Sequence, residues 1–285
     1  MGLARLDGRI CLVTGATSGI GLETAAGLAA LGAQVVMVGR DRQRGEQARK
    51  AVVEKSGNDR VDLLLADLSS LAGVRELARE FLATHPALHV LVNNAGTVEL
   101  ARTTTIDGFE KTFAVNHLSY FLLTNLLLPR LRASAPSRIV NVASEAHRFG
   151  RLDLADLQSE RSYQAMRVYG TSKLLNILFT VALAEKLAGS GVTANCLHPG
   201  AVSTRLGKNN GAWARILIGL LRPFFLTPEQ GAANSIFVAA SDQLDGVSGK
   251  YFVKQRAVRP SRRSQRPHLA RRVWARSSEL VGLSE

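Results

Sequence analysis

Residues 9–14, Arg-Ile-Cys-Leu-Val-Thr, read as a short buried strand, and Leu22 to Leu31 read as a helix. Between them lies Thr14-Gly15-Ala16-Thr17-Ser18-Gly19-Ile20-Gly21, with glycines spaced G-x-x-x-G-x-G. Strand, glycine-rich turn and helix in that order constrain the fold more than any other stretch, because they commit the chain to a βα unit whose helix N-terminus faces the end of the strand. Gly15 permits the tight turn, Gly19 lets backbone approach a diphosphate, and Gly21 allows close helix–strand packing. The first helical turn then offers free N–H groups and the positive end of the helix dipole. Gly15, Thr17, Ser18, Gly19, Ile20 and Gly21 are therefore the candidates for holding a dinucleotide.

The rest of the chain repeats the alternation. Strand-like runs at Gln34–Val38, Val61–Ala66, His89–Asn93, Arg138–Val142, Val192–Leu197 and Lys250–Val253 are separated by helical patterns at Gln43–Glu54, from near Leu71, at about Asp107–Leu131, around Tyr169 and at Pro228–Ser241. This predicts an α/β fold with a doubly wound parallel sheet, Rossmann-like, in a single domain over residues 1–255. Residues 256–285 form a basic C-terminal segment, in which Leu269, Val273, Trp274 and Leu280 at helical spacing predict a helix docked on the body between Pro267 and Val281.

Residues just past strand ends sit at the carboxyl edge of such a sheet, where ligands bind. The second strand ends at Gly39 and is followed by Arg40, which suits a ribose 2′-phosphate and favours NADP over NAD, with Arg42 and Arg44 as assistants. Asp41, one step later, keeps a ribose hydroxyl open as the alternative. Asp67, followed by Leu68, either meets an adenine amino group or caps the helix near Leu71. Asn93-Asn94-Ala95-Gly96 combines amides that pin backbone with small residues that leave room for a cofactor. Asn116 is a poor choice for the middle of a helix and marks either a bent, functional turn or a surface position. Ser144 follows the strand ending at Val142.

Tyr169 and Lys173, four apart, lie on one face of a helix that Gly189 closes as a C-cap. A neighbouring ammonium favours phenolate, so the tyrosine pKa is expected to fall toward neutrality and make the phenol an acid or base near working pH. The six histidines are scattered and read as structural; His147, near the edge of the site, is the one to watch. No zinc-ligand cluster or repeat is visible, so no metal is expected.

The formal net charge is +13, and from Lys250 to Arg276 there are ten Lys/Arg and no Asp or Glu. With no aromatic-interleaved RNA motif or DNA-reading pattern, the basic stretch reads as a solvated face and no nucleic-acid partner is expected. Cys11 and Cys196, both in apolar runs, read as buried thiols of a reducing compartment, and a cytoplasmic location is expected, with no signal peptide or membrane span visible. Residues 212–226 are apolar but interrupted by Arg215 and Arg222, and the stretch at about 203–226 reads as a lid over a greasy cleft. With the basic tail it also makes weak contact with a membrane surface an alternative.

Taken in order, Thr14–Gly21, Asn93–Gly96, Asn116, Ser144, Tyr169-x-x-x-Lys173 and Pro199-Gly200 make the chain resemble the short-chain dehydrogenase/reductase family over about residues 6–255. The long Ser144-to-Tyr169 spacing and Lys173-Leu-Leu-Asn-Ile-Leu-Phe179 resemble its retinol-dehydrogenase-like branch, as does the final helix. The resemblance implies an NADP(H)-dependent oxidoreductase that interconverts a small lipophilic alcohol and its aldehyde or ketone by hydride transfer, retinoid being one option. It implies Tyr169 as proton donor or acceptor, Lys173 as the group that lowers its pKa and holds the nicotinamide ribose, Ser144 as hydrogen-bond donor to the substrate oxygen, and Asn116 as holder of a water linking Lys173 to solvent. It further implies that Asp67, Leu68, Asn94, Ala95 and Gly96 line the cofactor, that Pro199 and Gly200 wall the nicotinamide, and that Val202 and Thr204 meet its carboxamide. Relatives pair through the helices carrying Asn116 and Tyr169, so monomer and homodimer both remain open, with the residues before Tyr169 near that surface. The competing reading is a catalytically silent NADP-binding regulatory protein or a peripheral membrane interaction protein.

Overall fold

The computed structural model describes residues 2–200 and 226–283. Among them, β1 (Ile10–Thr14), β2 (Gln34–Gly39), β3 (Val61–Leu65), β4 (Val90–Asn93), β5 (Ser137–Val142), β6 (Val192–His198), β7 (Tyr251–Val253) and β8 (Arg256–Val258) form one sheet. Their order is β3-β2-β1-β4-β5-β6-β7-β8. Every pairing is parallel except β7 with β8. The helices are α1 (Gly19–Ala30), α2 (Arg42–Ser56), α3 (Leu71–Thr84), α4 (Ser119–Ala133), α5 (Ala165–Lys186), α6 (Pro228–Ala240) and α7 (Pro267–Leu280).

Strand residues alternate between two cores, because successive side chains point to opposite faces of a sheet. Ile10, Leu12, Val36 and Val38 pack with Phe81 of α3, Phe121 of α4, Phe179 of α5 and Trp274 of α7. Cys11, Val13, Val35 and Met37 pack with Leu28 of α1, Val52 of α2 and Phe237 of α6. Burial on both faces explains why these strands read as continuous apolar runs. Because β1 lies between β2 and β4, the chain winds outward in both directions from the β1–β4 pair, and the crevice at their carboxyl ends is the topological switch point.

Three expectations need correction. The pattern from Asp107 to Leu131 is not one helix: Thr104 bridges Glu110 in antiparallel fashion, Lys111–Phe113 form one helical turn, Ala114–Leu118 form a π turn, and α4 starts at Ser119. Glu110 caps the first turn, and Asn116, in the π turn, is fully buried and clamps Thr97 instead of facing solvent. Next, α5 ends at Lys186 with Leu187 as its cap, and Gly189 turns the chain afterwards at φ 75. Finally, Arg256–Val258 fold back as an antiparallel edge strand, for which three exposed residues carried no periodic signal.

The C-terminal helix α7 docks as its spacing predicts. Trp274 lies 4.9 Å from the Phe121 ring and 5.8 Å from that of Phe179, with the Lys186 ammonium 4.9 Å above it. Arg271 and Arg272 stay exposed on the outer side, Arg271 paired with Glu185 at 2.8 Å. Cys11 and Cys196 are buried free thiols. Among the described residues no helix is long and apolar enough to cross a membrane.

Candidate active site

A cleft of ≈ 780 Å³ opens at the carboxyl ends of the strands. Gly15, Thr17, Ser18, Gly19, Ile20, Gly21, Arg40, Asp67, Leu68, Asn94, Ala95, Gly96, Ser144, Tyr169, Lys173, Pro199 and Gly200 all line it. Asn116 sits directly behind it. Val202, Thr204 and all of the 203–226 stretch but Leu226 lie outside the described residues.

One end is built by the glycine turn. Gly15 and Gly19 have φ of 65 and 58, a region that side chains rarely adopt. A Cβ on Gly15 would stand 2.8 Å from the Ala95 backbone, and one on Gly21 2.3 Å from the Gly15 carbonyl oxygen and 2.4 Å from the Asn94 amide. Gly21 therefore serves the seam between the turn and the end of β4, and not only helix–strand packing as the spacing implied. That seam is stitched by Thr14, whose hydroxyl accepts from the Asn94 and Ala95 amides at 2.9 and 3.1 Å, while the Asn94 side chain donates to the Thr14 carbonyl at 2.8 Å. Asn93 points the other way, donating to Thr124 and Asn141 rather than to neighbouring backbone. Among the described residues no side chain caps the start of α1, so its first-turn amides are available to an anion. A cradle closed to any Cβ and an uncapped helix N-terminus together fit a dinucleotide diphosphate.

At the far side of that turn, Arg40 and Arg44 line the cleft with Asp67, Leu68 and Ser69, whereas Arg42 does not. Asp41 is occupied as the N-cap of α2, accepting from the Arg44 amide at 2.8 Å. Asp67 accepts from the Ser69 amide and hydroxyl at 2.9 and 2.7 Å, and the cap of α3 is Ser70 instead. This removes the capping alternative for Asp67.

The other end gathers Ser144, Tyr169 and Lys173. Ser144 caps a 3₁₀ turn (Glu145–Phe149), its hydroxyl accepting from the Ala146 amide at 3.1 Å. Its carbonyl accepts from His147 Nδ1 at 2.7 Å, so His147 braces the turn from behind, with its Nε2 accepting from the Ser261 amide at 3.0 Å. Lys173 is buried and donates to the Val142 carbonyl at 2.9 Å, and its Nζ lies 5.6 Å from the Tyr169 ring centre. The expected fall of the Tyr169 pKa is overturned. Burial pushes the phenol up to about 12, the hydrogen bond with Ser144 working weakly the other way. Burial also brings Lys173 down to about 7, so the cation that was to favour phenolate is itself disfavoured. A Tyr–Lys spacing shows the pair but not the desolvation of both members.

Asn116 also departs from expectation. Its side-chain oxygen accepts from the Thr97 amide at 2.8 Å, and its amide group donates to the Thr97 carbonyl and to Ser172 Oγ, each at 3.0 Å. Ser172 in turn donates to the Tyr169 carbonyl at 2.7 Å. The Asn116 side chain is thus a clamp between the segment after β4 and helix α5.

Several residues of the site escaped sequence reading. Glu110 is fully buried and accepts from the Thr112 and Phe113 amides at 2.9 and 2.6 Å, starting the turn that carries Asn116. The segment between Ser144 and Tyr169 reaches it, Gln158 accepting from the Glu110 amide at 2.9 Å and the Tyr163 hydroxyl donating to the Glu99 carbonyl at 2.8 Å. His117 and Asn176 are buried beside Asn116. Their only signal was a histidine following Asn116 and an asparagine three past Lys173, far apart in sequence.

The chain matches the family model described as short chain dehydrogenase over residues 9–215. It is 44% identical to human retinol dehydrogenase 11 over 279 residues, covering 98% of this chain and 87% of that protein. To mouse retinol dehydrogenase 14 it is 45% identical over 293 residues, covering 98% and 87%. Among solved structures, an uncharacterized protein from Mycobacterium paratuberculosis superposes with a TM-score of 0.81 at 33% identity, over 99% of this chain and 96% of that one. The Pseudomonas aeruginosa RhlG/NADP active-site complex superposes with a TM-score of 0.71 at 31% identity, over 88% and 97%.

Proposed function

The chain belongs to the short-chain dehydrogenase/reductase family and is retinol-dehydrogenase-like within it, and from that premise we propose that it uses NADP(H) to interconvert a lipophilic alcohol and its aldehyde or ketone. Oxidoreductase chemistry between alcohol and carbonyl follows from the family. The finer reading rests on one observation: Arg40 and Arg44 line the ribose end of the cleft, while Asp41, the acid that would hold a ribose hydroxyl, caps α2 through one oxygen and is not among the residues lining the cleft. The relative solved with NADP supports the same cofactor. The cytoplasmic reading is kept on the two buried free thiols.

The lipophilic part rests on the opposite end of the cleft, where Val98, Val115, Ala146, Phe149 and Met166 contribute to the lining. The two carboxylates there are already compensated. Glu99 pairs with Lys111 at 3.1 Å, and Glu145 with Arg148 at 2.6 Å and the Tyr251 hydroxyl at 2.8 Å. Among the described residues at this end, neither carboxylate is left unpaired to recruit a charged substrate.

NADP(H), when bound, supplies or takes up the hydride. Gly15, Ser18, Gly19, Ile20 and Gly21 would hold its diphosphate, Arg40 and Arg44 its 2′-phosphate, and Lys173 the nicotinamide ribose. Tyr169 gives its proton to the carbonyl oxygen in reduction and takes the hydroxyl proton in oxidation. A phenol pushed up to about 12 is protonated throughout the neutral range, which suits the reductive direction. Ser144 donates to the same oxygen and stabilises the charge developing there.

Fluorescence titration tests the cofactor. NADPH is expected to bind tighter than NADH, and Arg40→Ala to weaken NADPH by about tenfold while leaving NADH within about twofold. Equal or tighter NADH binding by the unaltered protein would overturn the NADP reading. Tyr169→Phe separates an enzyme from a silent binding protein: turnover is expected to fall by at least about 10²-fold with cofactor affinity retained. Turnover that survives the change sinks the assignment of Tyr169.

A further inference from the structure

We infer that helix α7 holds the active-site residues in register through a directional hydrogen-bond chain, Ser277–His117–Asn176, which makes His117 and Asn176 positioning residues for the reaction. The inference rests on the oxidoreductase reading above and adds to it residues that never touch substrate.

The chain starts on α7, where Ser277 is buried and its Oγ lies 2.9 Å from His117 Nε2. His117 Nδ1 lies 3.2 Å from Asn176 Oδ1. Asn176 Nδ2 reaches the Asn116 carbonyl at 2.9 Å and the Val142 carbonyl at 3.4 Å. The direction of each link follows from chemistry. Nδ2 faces two carbonyls and must donate, so Oδ1 is the acceptor facing the imidazole. His117 Nδ1 therefore carries the proton, Nε2 offers its lone pair, and the Ser277 hydroxyl donates to it. The imidazole is packed among the rings of Phe113, Phe121 and Phe179, with centroids 5.7, 6.4 and 6.2 Å away. Burial there brings its pKa down to about 4, which keeps the imidazole neutral across the working range, and its two hydrogen-bond partners select the tautomer.

The chain ends on the groups that hold the chemistry. The Val142 carbonyl that Asn176 approaches is the one that receives the Lys173 ammonium. The Asn116 carbonyl it satisfies belongs to the π turn, where regular backbone pairing is interrupted. From Asn116 the connection continues through Ser172 to the Tyr169 backbone. Packing alone does not require this arrangement, because Trp274, Val273 and Ala270 already bury the inner face of α7 and an alanine would fill the position of Ser277. The Ser277 hydroxyl satisfies the buried Nε2 and so fixes the orientation of the ring.

The test compares Ser277→Ala, Ser277→Thr, Asn176→Ser and, as control, Ser278→Ala at another buried α7 position. It uses steady-state kinetics and hydrogen exchange read by mass spectrometry. Ser277→Ala is expected to lower kcat by about five- to tenfold with the KM for cofactor within about twofold, since small misplacements of reacting groups act on turnover more than on binding. Exchange should rise in residues 113–119 and stay unchanged in α1 and the glycine turn. Ser277→Thr keeps the hydroxyl and should restore both readouts, Asn176→Ser should reproduce the loss, and Ser278→Ala should do neither. Unchanged kcat or unchanged protection of residues 113–119 in Ser277→Ala would overturn the inference. So would a loss of protection across the whole chain with kcat and KM moving together, which marks a helix that only stabilises the fold. If the unaltered protein turns over no carbonyl or alcohol with either nicotinamide cofactor, the oxidoreductase reading fails, and the exchange measurement decides the chain of contacts on its own.

Discussion

Lys173 shows how one side chain serves the site at the expense of the fold. It is 3% exposed, and burial brings its pKa from 10.5 to about 7. The sign follows from proton binding. Between about pH 7 and pH 10.5 the unfolded chain holds the proton and the folded chain does not, so stability rises with pH across that window, and below it the penalty is full. A shift of this size corresponds to roughly 5 kcal/mol as an upper bound. Lys173→Met loses the bond to the Val142 carbonyl, which offsets part of the gain. Urea unfolding at pH 6 should show the variant about 1–3 kcal/mol more stable than the parent, with the advantage shrinking toward pH 10. A variant less stable at pH 6 would contradict the assignment. Its turnover should be lost, as expected where a strained group serves function. That Ser144, Tyr169 and Lys173 would share one cleft was legible from their order and spacing. Their ionisation was not, because neither spacing nor order reports how much protein surrounds a group.

At the scale of elements, the strand–turn–helix at residues 10–30 does what its glycines implied, with one change of partner. Gly21 faces the Gly15 carbonyl and Asn94, backbone and a clamped amide that have nowhere to go. Gly27, on the same helix, faces only the tip of the Ile236 side chain, with Cδ1 at 2.2 Å from an added Cβ. Gly21→Ala should therefore cost about 1–3 kcal/mol from overpacking and weaken cofactor binding by at least about tenfold. Gly27→Ala should leave binding unchanged, the Ile236 tip moving aside. Paired thermal melts and cofactor titrations check this, and similar losses at both positions would refute the argument. The π turn at Ala114–Leu118 was the element least legible beforehand. Asn116 flagged it, but only contact with Thr97 and Ser172 turns a poor helix former into the reason for the bend.

For the molecule as a whole, α7 lies on the face formed by α4 and α5, with Trp274 against Phe121 and Phe179 and Ser277 on His117. Among the described residues α7 covers part of that face, and the expected outcome of sedimentation is the single-chain mass of 30.7 kDa. A dimer mass that persists on dilution would show that α7 leaves the face or that pairing uses another. The sequence by itself determined the strand–helix alternation, the sheet's double winding and the order and spacing of the glycine and Tyr169-x-x-x-Lys173 motifs, because periodicity and special backbone geometry are local properties. Only the tertiary structure decided that Asp41 caps α2 while Arg40 and Arg44 line the cleft, that Tyr169 and Lys173 both resist ionisation, and that a serine near the C-terminus meets a histidine 160 positions earlier. Those outcomes depend on burial and on partners from distant segments, and a single stretch of residues carries no record of either.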